Sequence, residues 1–172
     1  MKTLVTGATG FLGGALARRL HGMGWDVAAL GRNALKLEQL ESEGIRPLQL
    51  DIKKVAGLIA AFDGREVIFH CAALPSPWGN FEKFYQANVI GTRNVVRACL
   101  ENKVKRLVYI STPSIYLDYN SRVGVKESDA LSEPISNYAA TKLLAEEEID
   151  KGFANGLAVV SIRPRALFGE GD

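Results

Sequence analysis

The first thirteen residues limit the fold more than any other part of the chain. Thr3-Leu4-Val5 is a short apolar run that leads directly into Thr6-Gly7-Ala8-Thr9-Gly10-Phe11-Leu12-Gly13. Beyond it Leu12, Leu16 and Leu20 recur at helical spacing. That order predicts a strand, a glycine-rich turn and a helix. Gly7 allows a sharp turn where a Cβ would clash, Gly10 lets the backbone approach an anion, and Gly13 lets the helix lie close to the strand. The N–H groups of a first helical turn lack intrahelical acceptors and sit at the positive end of the helix dipole. Such a turn suits a pyrophosphate, so a dinucleotide is the expected ligand.

Further along, apolar runs at 26–30, 47–50, 66–70, 106–110 and 157–162 read as five more strands. Amphipathic stretches separate them. Leu35, Leu37 and Leu40 mark one helix, and a short helix is expected around 55–59. A long helix is expected over 81–102, and a last one runs to Ile149 with Asn137 as its N-cap. Strands alternating with helices predict an α/β fold with a parallel sheet, right-handed crossovers and helices on both faces. With the glycine turn after the first strand, the expected fold is a Rossmann-type doubly wound sheet of order 3-2-1-4-5-6 in three αβα layers. Ligands of such sheets bind outside the carboxyl ends of the strands. Gly7 to Gly13, Arg32, Asp51, Ala72-Ala73, Ser111-Thr112 and Arg163-Pro164 all lie at those ends. Residues 75–80 read as a loop, and the polar stretch 113–136 is long enough to suggest a functional loop.

Composition narrows the function classes. The chain has 172 residues, the size of one domain, and a formal net charge of +2. That balance favours neither nucleic acid nor a membrane surface as a partner. Cys71 and Cys99 lie in apolar contexts without metal-ligand spacing, so they read as reduced core residues, and no metal is expected. No run is apolar and long enough to span a bilayer, and the N-terminal layout is not that of a signal peptide. A cytoplasmic setting is expected.

The second informative stretch is Tyr138-Ala139-Ala140-Thr141-Lys142. An i, i+4 spacing puts the phenol and the ammonium on one helix face. A free tyrosine titrates near pH 10, too high for good acid–base work at neutral pH, and a nearby ammonium favours the phenolate. The hydroxyl of Thr112 or Ser111 could bond the same substrate oxygen. Together these groups could move a proton to or from an oxygen while a hydride passes to or from a nicotinamide. Alone, a Tyr/Lys pair on a helix is usually surface decoration. Its place after a dinucleotide turn and a hydroxyl pair reverses that reading.

With these residues in view, the chain resembles the extended short-chain dehydrogenase/reductase superfamily, the NAD(P)-dependent epimerases and dehydratases. The resemblance is carried by the glycine turn, Ser111-Thr112-Pro113-Ser114-Ile115-Tyr116, Tyr138 to Lys142, and Arg163-Pro164 with Phe168-Gly169. His70-Cys71-Ala72-Ala73, Ser76-Pro77-Trp78-Gly79, Asn88-Val89-Ile90-Gly91-Thr92 and the segment 163–169 are most similar to the 3β-hydroxysteroid dehydrogenase-like branch. The resemblance implies that Tyr138 is the general acid/base and that Lys142 binds the ribose hydroxyls and lowers the tyrosine's pKa. It implies that Thr112 holds the active-site hydroxyl position. The cofactor site would comprise Gly7, Thr9, Gly10, Phe11, Leu12, Gly13, Arg32, Asp51, Ile52, Ala72, Ala73, Ser111, Tyr138, Lys142 and Pro164. Asp51 and Ile52 would flank the adenine, Ala72 and Ala73 would lie along the cofactor, and Pro164 would pack near the nicotinamide. Asn88 would be mainly structural. A homodimer is an assembly open to such a chain. Family members continue past Asp172 into parts that build the substrate pocket. The 172 residues are therefore expected to be a cofactor domain, a fragment that binds cofactor, exposes apolar surface and self-associates.

Arg32 stands after the second strand, where NAD-preferring sites usually carry an acid. An arginine pairs with a 2′-phosphate that an acid would repel, so NADP is preferred over NAD. The implied activity is an NAD(P)-dependent oxidoreductase acting on a hydroxy or keto substrate, steroid-like or a β-keto acid. The alternatives are a nucleotide-sugar epimerase/dehydratase and, from another class, a non-catalytic NADP-binding sensor module. Among the remaining residues, Trp78 reads equally as a substrate contact or a packed loop aromatic. His70 reads as a hydrogen-bonded structural residue, and Glu146-Glu147-Glu148 as the wet face of the last helix.

Overall fold

A strand buried on both faces needs apolar residues at odd and even positions alike. In β1 (Lys2–Thr6), Leu4 enters one core and Val5 the other. In β2 (Asp26–Gly31), Ala28 and Leu30 share the first core with Leu4, while Val27 and Ala29 share the second with Val5. The computed structural model describes residues 1–76, 78–120 and 122–169. It joins these strands to β3 (Arg46–Gln49), β4 (Val67–His70), β5 (Arg106–Ile110) and β6 (Val159–Ile162). All neighbours pair in parallel, in the order β3-β2-β1-β4-β5-β6. The doubly wound order expected from the sequence is therefore the observed one. Pro77 of the expected loop, Ser121 of the long polar stretch and residues 170–172 lie outside the described residues.

Helices α1 (Phe11–Gly22) and α2 (Ala34–Ser42) contribute Ala17, Leu20, Leu37 and Leu40 to the second core. Helices α3 (Val55–Phe62), α5 (Gly91–Glu101) and α6 (Asn137–Ala154) contribute Leu58, Phe62, Val95 and Ile149 to the first. Each such large side chain, fully buried, contributes roughly 1.5–3 kcal/mol. The outermost strand β6 is less covered, and Val160 and Ile162 are exposed. Among the described residues, no helix is long and apolar enough to cross a membrane.

Several local expectations shift. The buried side of α1 is Gly13, Gly14, Ala17 and Leu20, with Leu12 and Leu16 only half-buried. The glycines bring the helix backbone onto the sheet, so small residues occupy the contact. Leu35 is exposed and only Leu37 and Leu40 anchor α2. The helix expected over 81–102 is α4 (Phe81–Phe84), a π-helical segment (Tyr85–Ile90) and α5 in continuous succession. The N-cap of α6 is Ser136, whose hydroxyl accepts from the Ala139 N–H at 3.1 Å. Asn137 instead is the first helical residue and donates to the Gly79 carbonyl at 3.0 Å. The long polar stretch opens with a 3-10 turn, Pro113–Tyr116, capped by the Thr112 side chain.

The glutamate run is not a wet face. Glu147 is exposed, but Glu146 and Glu148 are buried. Arg163 reaches Glu146 with two nitrogens, at 2.9 and 2.6 Å. Arg93 reaches Glu148 in the same forked manner at 3.1 Å each, and Lys151 adds a contact at 2.7 Å. Forked guanidinium contacts are what make carboxylates tolerable in a partly dry position.

His70 closes β4 and is fully buried. Its Nδ1 pairs with the Thr6 hydroxyl at 2.7 Å and its Nε2 with the Thr92 hydroxyl at 2.9 Å. The ring thus ties β1, β4 and α5 together as the expected structural residue. Burial, followed by the nearby Lys142 ammonium, pushes its pKa from 6.5 down to about 3. Between pH 6.5 and 3 the unfolded chain therefore binds a proton that the native chain does not, and stability falls as pH falls. The window from about pH 6 to 5 lies above the ordinary range of carboxylates and below the titration of the buried Lys142, and isolates this residue. Denaturant titrations should show unfolding free energy dropping through that window. In His70→Asn the same window should be flatter, whatever its absolute stability. Equal slopes in both proteins would contradict the assignment.

Candidate active site

The cleft starts at the turn between β1 and α1. Gly7 has φ +69°, a left-handed conformation costly for any residue with a Cβ. A Cβ there would also come within 2.7 Å of the Ala72 backbone, at the end of β4. A Cβ on Gly13 would overlap the Gly7 carbonyl. The turn therefore exists only as glycine, and its compactness draws α1 against the strand ends. Gly10 caps α1 without a side-chain acceptor, and the first turn carries no acidic residue. The N–H groups there remain available to an anion, at the positive end of the helix dipole.

Strand ends from across the sheet border one cleft of about 890 Å³. All the residues proposed from the sequence line it. The turn supplies Gly7, Thr9, Gly10, Phe11, Leu12 and Gly13. The ends of β2 and β3 supply Arg32, Asp51 and Ile52, and the end of β4 supplies Ala72 and Ala73. Ser111 and Thr112 follow β5, Pro164 follows β6, and Tyr138 and Lys142 enter from α6. Asn88 is buried behind this wall. Its Oδ1 accepts from the Leu74 N–H at 2.7 Å and its Nδ2 donates to the Thr141 hydroxyl at 3.1 Å, so it joins the β4 loop to α6.

The electrostatics differ from expectation at Tyr138. Its phenol is held above the ordinary tyrosine value by burial, and the Thr112 hydroxyl beside it only partly offsets this. The anticipated lowering by Lys142 is not seen. The Lys142 ammonium is instead directed inward. It donates to the Ile110 carbonyl at 2.6 Å and lies 4.2 Å from the centre of the Tyr109 ring. Lys142 is almost fully buried, and that burial pushes its pKa down to about 7, against the pull of Glu146. Desolvation outweighs the pairwise attraction between the two side chains' charged forms.

The Ser111 hydroxyl is buried without a hydrogen-bond partner among the described residues. Such a group costs about 1–3 kcal/mol unless a ligand or water meets it. An orphan hydroxyl on the cleft wall, a glycine cradle with no room for a Cβ, and an uncapped helix N-terminus all fit a dinucleotide. The sequence reading missed several lining residues. Lys53 lies beside Asp51, with 3.7 Å between ammonium and carboxylate. Glu82, Lys83 and Gln86 enter from α4 and the π segment, and Arg165 follows Pro164. Lys53 and Arg165 adjoin Ile52 and Pro164, and Glu82, Lys83 and Gln86 lie between the motifs at 76–79 and 88–92; that proximity was the only available signal. Cys71, expected in the core, is half-buried and lines the cleft, where burial pushes its thiol up to about 12. Trp78 is neither packed nor in the cleft lining, and is largely exposed.

Comparison with known proteins agrees with this geometry. The family model described as the NAD dependent epimerase/dehydratase family matches residues 3–172. A 2-alkyl-3-oxoalkanoate reductase of Stenotrophomonas maltophilia is 38% identical over the whole of this chain and 52% of its own length. A 3beta-hydroxysteroid-dehydrogenase/decarboxylase of Arabidopsis thaliana is 38% identical over 81% of this chain and 25% of its own. The solved structure of MoeE5 in complex with UDP-glucose and NAD superposes with a TM-score of 0.82 at 32% identity. It covers 95% of this chain and 54% of that one. The chain thus spans about half the length, or less, of the curated relatives it matches. By a family model that runs almost from end to end, and by the turn, sheet order and cleft that accompany it, the chain belongs to the NAD dependent epimerase/dehydratase family.

Proposed function

We propose that this chain binds a nicotinamide dinucleotide in the cleft and carries the acid–base residues of an oxidoreductase acting on a hydroxy or keto substrate. The observation that carries this reading is the meeting of the glycine turn with Thr112, Tyr138 and Lys142 on one cleft wall, from three separate parts of the chain. When bound, the cofactor supplies or accepts the hydride. The chain supplies the rest. The N–H groups of Phe11, Leu12 and Gly13 would hold the pyrophosphate, the Gly10 N–H being spent on the Gly7 carbonyl at 2.9 Å, and Asp51 and Ile52 would flank the adenine. Ala72, Ala73 and Pro164 line the path of the cofactor, and Lys142 and the unpartnered Ser111 hydroxyl meet its polar groups.

Tyr138 handles the proton. Burial keeps its phenol protonated at neutral pH, which suits a donor to a carbonyl oxygen in the reductive direction. Thr112 stands beside it and orients the same oxygen. A steroid-like ketone or a β-keto acid is the favoured substrate class, in keeping with the named activities of the reductase and hydroxysteroid dehydrogenase relatives. A nucleotide-sugar epimerase/dehydratase is the second reading, favoured by the UDP-glucose in the MoeE5 structure. A non-catalytic NADP-binding sensor is the third, and an intact Tyr138/Lys142 pair counts against it.

Tyr138→Phe, made in the protein that contains this chain, should lower kcat by about 100-fold or more. Cofactor affinity should stay within about threefold of the original, because the phenol acts mainly in the reaction step. Unchanged turnover would remove Tyr138 from its role. NADP is inferred over NAD because Arg32 is exposed at the end of β2, on the cleft border, with no acid at that point. Fluorescence titration with each cofactor should give tighter binding of NADP, and Arg32→Ala should erase the difference. Tighter binding of NAD by the unaltered chain would overturn the preference.

A further inference from the structure

Tyr138, Lys142 and Glu146 follow one another at intervals of four on α6, so the three lie along one helix face. The first two line the cleft, the second almost fully buried in its wall, and the third is buried one turn further on. Glu146 is not itself part of the cleft lining. Both its oxygens are engaged by Arg163, which leaves β6 immediately before Pro164 and Arg165 of the cleft wall. The same guanidinium meets the Tyr116 hydroxyl and lies over the Tyr116 ring, 5.1 Å from its centre. Tyr116 in turn donates to the Glu127 carbonyl at 3.0 Å. One partly buried ion pair thus joins α6, the end of β6, the 3-10 turn that follows Thr112, and the long loop.

We infer that Glu146, oriented by Arg163, is a positioning residue for the reaction: it holds the buried Lys142 in its charged form and in place beneath the cleft, and it fixes the Pro164 wall against α6. The functional part of this inference rests on the reading of Tyr138 and Lys142 given above. The physical part stands on the packing. Lys142 is taken out of water and receives one hydrogen bond acceptor, the Ile110 carbonyl, with the Tyr109 ring below it. Neither carries a full negative charge. The groups that face it are Tyr138 and Glu146 from α6, Tyr109 from β5, and His70 and Cys71 from the end of β4. Burial holds His70 uncharged at neutral pH and Cys71 as the thiol, and Tyr138 stays a neutral phenol. Glu146 is therefore the carboxylate that offsets the cost of the ammonium, and its pull is the foremost influence keeping the Lys142 proton on. The fork from Arg163 holds that carboxylate in place on the helix face and prevents it from turning towards solvent.

The test reads Lys142 directly. Lysine labelled with 13C at Cε titrates by NMR independently of activity, and the Lys142 signal is assigned by its loss in Lys142→Met. In Glu146→Gln the midpoint of that titration should fall by about one pH unit, a tenfold change in proton affinity. Glu146→Asp, which keeps the charge, should restore most of it. If Glu146→Gln leaves Arg163 unpaired and fails to fold, the pair Glu146→Gln with Arg163→Gln removes both charges and should give a smaller fall of the same sign. In the protein containing this chain, the pH profile of kcat/KM should move with the lysine midpoint while folding, followed by circular dichroism, stays intact. A Lys142 midpoint unchanged in the folded Gln variants would overturn the inference. A midpoint that falls in a protein whose Tyr138→Phe form retains full turnover would leave the electrostatic inference standing and remove the catalytic reading instead.

Discussion

The contact between Gly13 and the carbonyl of Gly7 sets the geometry on which the cleft depends. No side chain fits between α1 and the turn it springs from. The helix therefore starts within reach of the strand ends, and its uncapped N–H groups point from the sheet's carboxyl edge rather than from its flank. Gly7 adds a second close approach, to the backbone of Ala72, which fixes the turn against β4. Strand order then does the rest. With β1 between β2 and β4, the crossovers diverge to opposite faces at that edge, and a crevice opens where they part.

Behind the crevice the structure handles charge by pairing and by neutralisation. Carboxylates that enter the interior, Glu146 and Glu148, are met by forked guanidinium groups. His70 enters as a neutral ring between two threonine hydroxyls. Lys142 lacks a direct carboxylate contact and is consequently poised near neutrality. A group whose charge is so easily changed, one turn of helix from a half-buried phenol, is an arrangement suited to proton transfer and costly for stability alone.

The sheet was legible in the sequence because doubly buried strands are apolar at successive positions, and the turn because its glycines are spaced by steric need. The cleft residues were legible because an open parallel sheet collects its ligands at the strand ends. What was not legible depended on partners remote in the chain. Glu146 and Glu148 look like solvent-facing residues until Arg163 and Arg93, 17 and 55 positions away, are brought to them. The upward shift at Tyr138 was hidden for the same reason, since the sequence shows the spacing to Lys142 but neither the burial that raises the phenol nor the turn of the ammonium to the Ile110 carbonyl. The π segment at Tyr85–Ile90 left no mark in an amphipathic pattern that reads as one helix. The choice of Ser136 over Asn137 as cap turned on the Gly79 carbonyl, which occupies the asparagine amide.

The proposed dinucleotide site requires distant strand ends to bind as one. Backbone amide shifts of the 15N-labelled chain, followed during titration with NADP and with NAD, test it most directly. Saturable shifts are expected at Gly10 to Gly13, at Arg32, at Asp51 and Ile52, at Ala72 and Ala73 and at Ser111, all with a single dissociation constant. Shifts confined to one of these segments, or centred on the α5–α6 face remote from the turn, would contradict it.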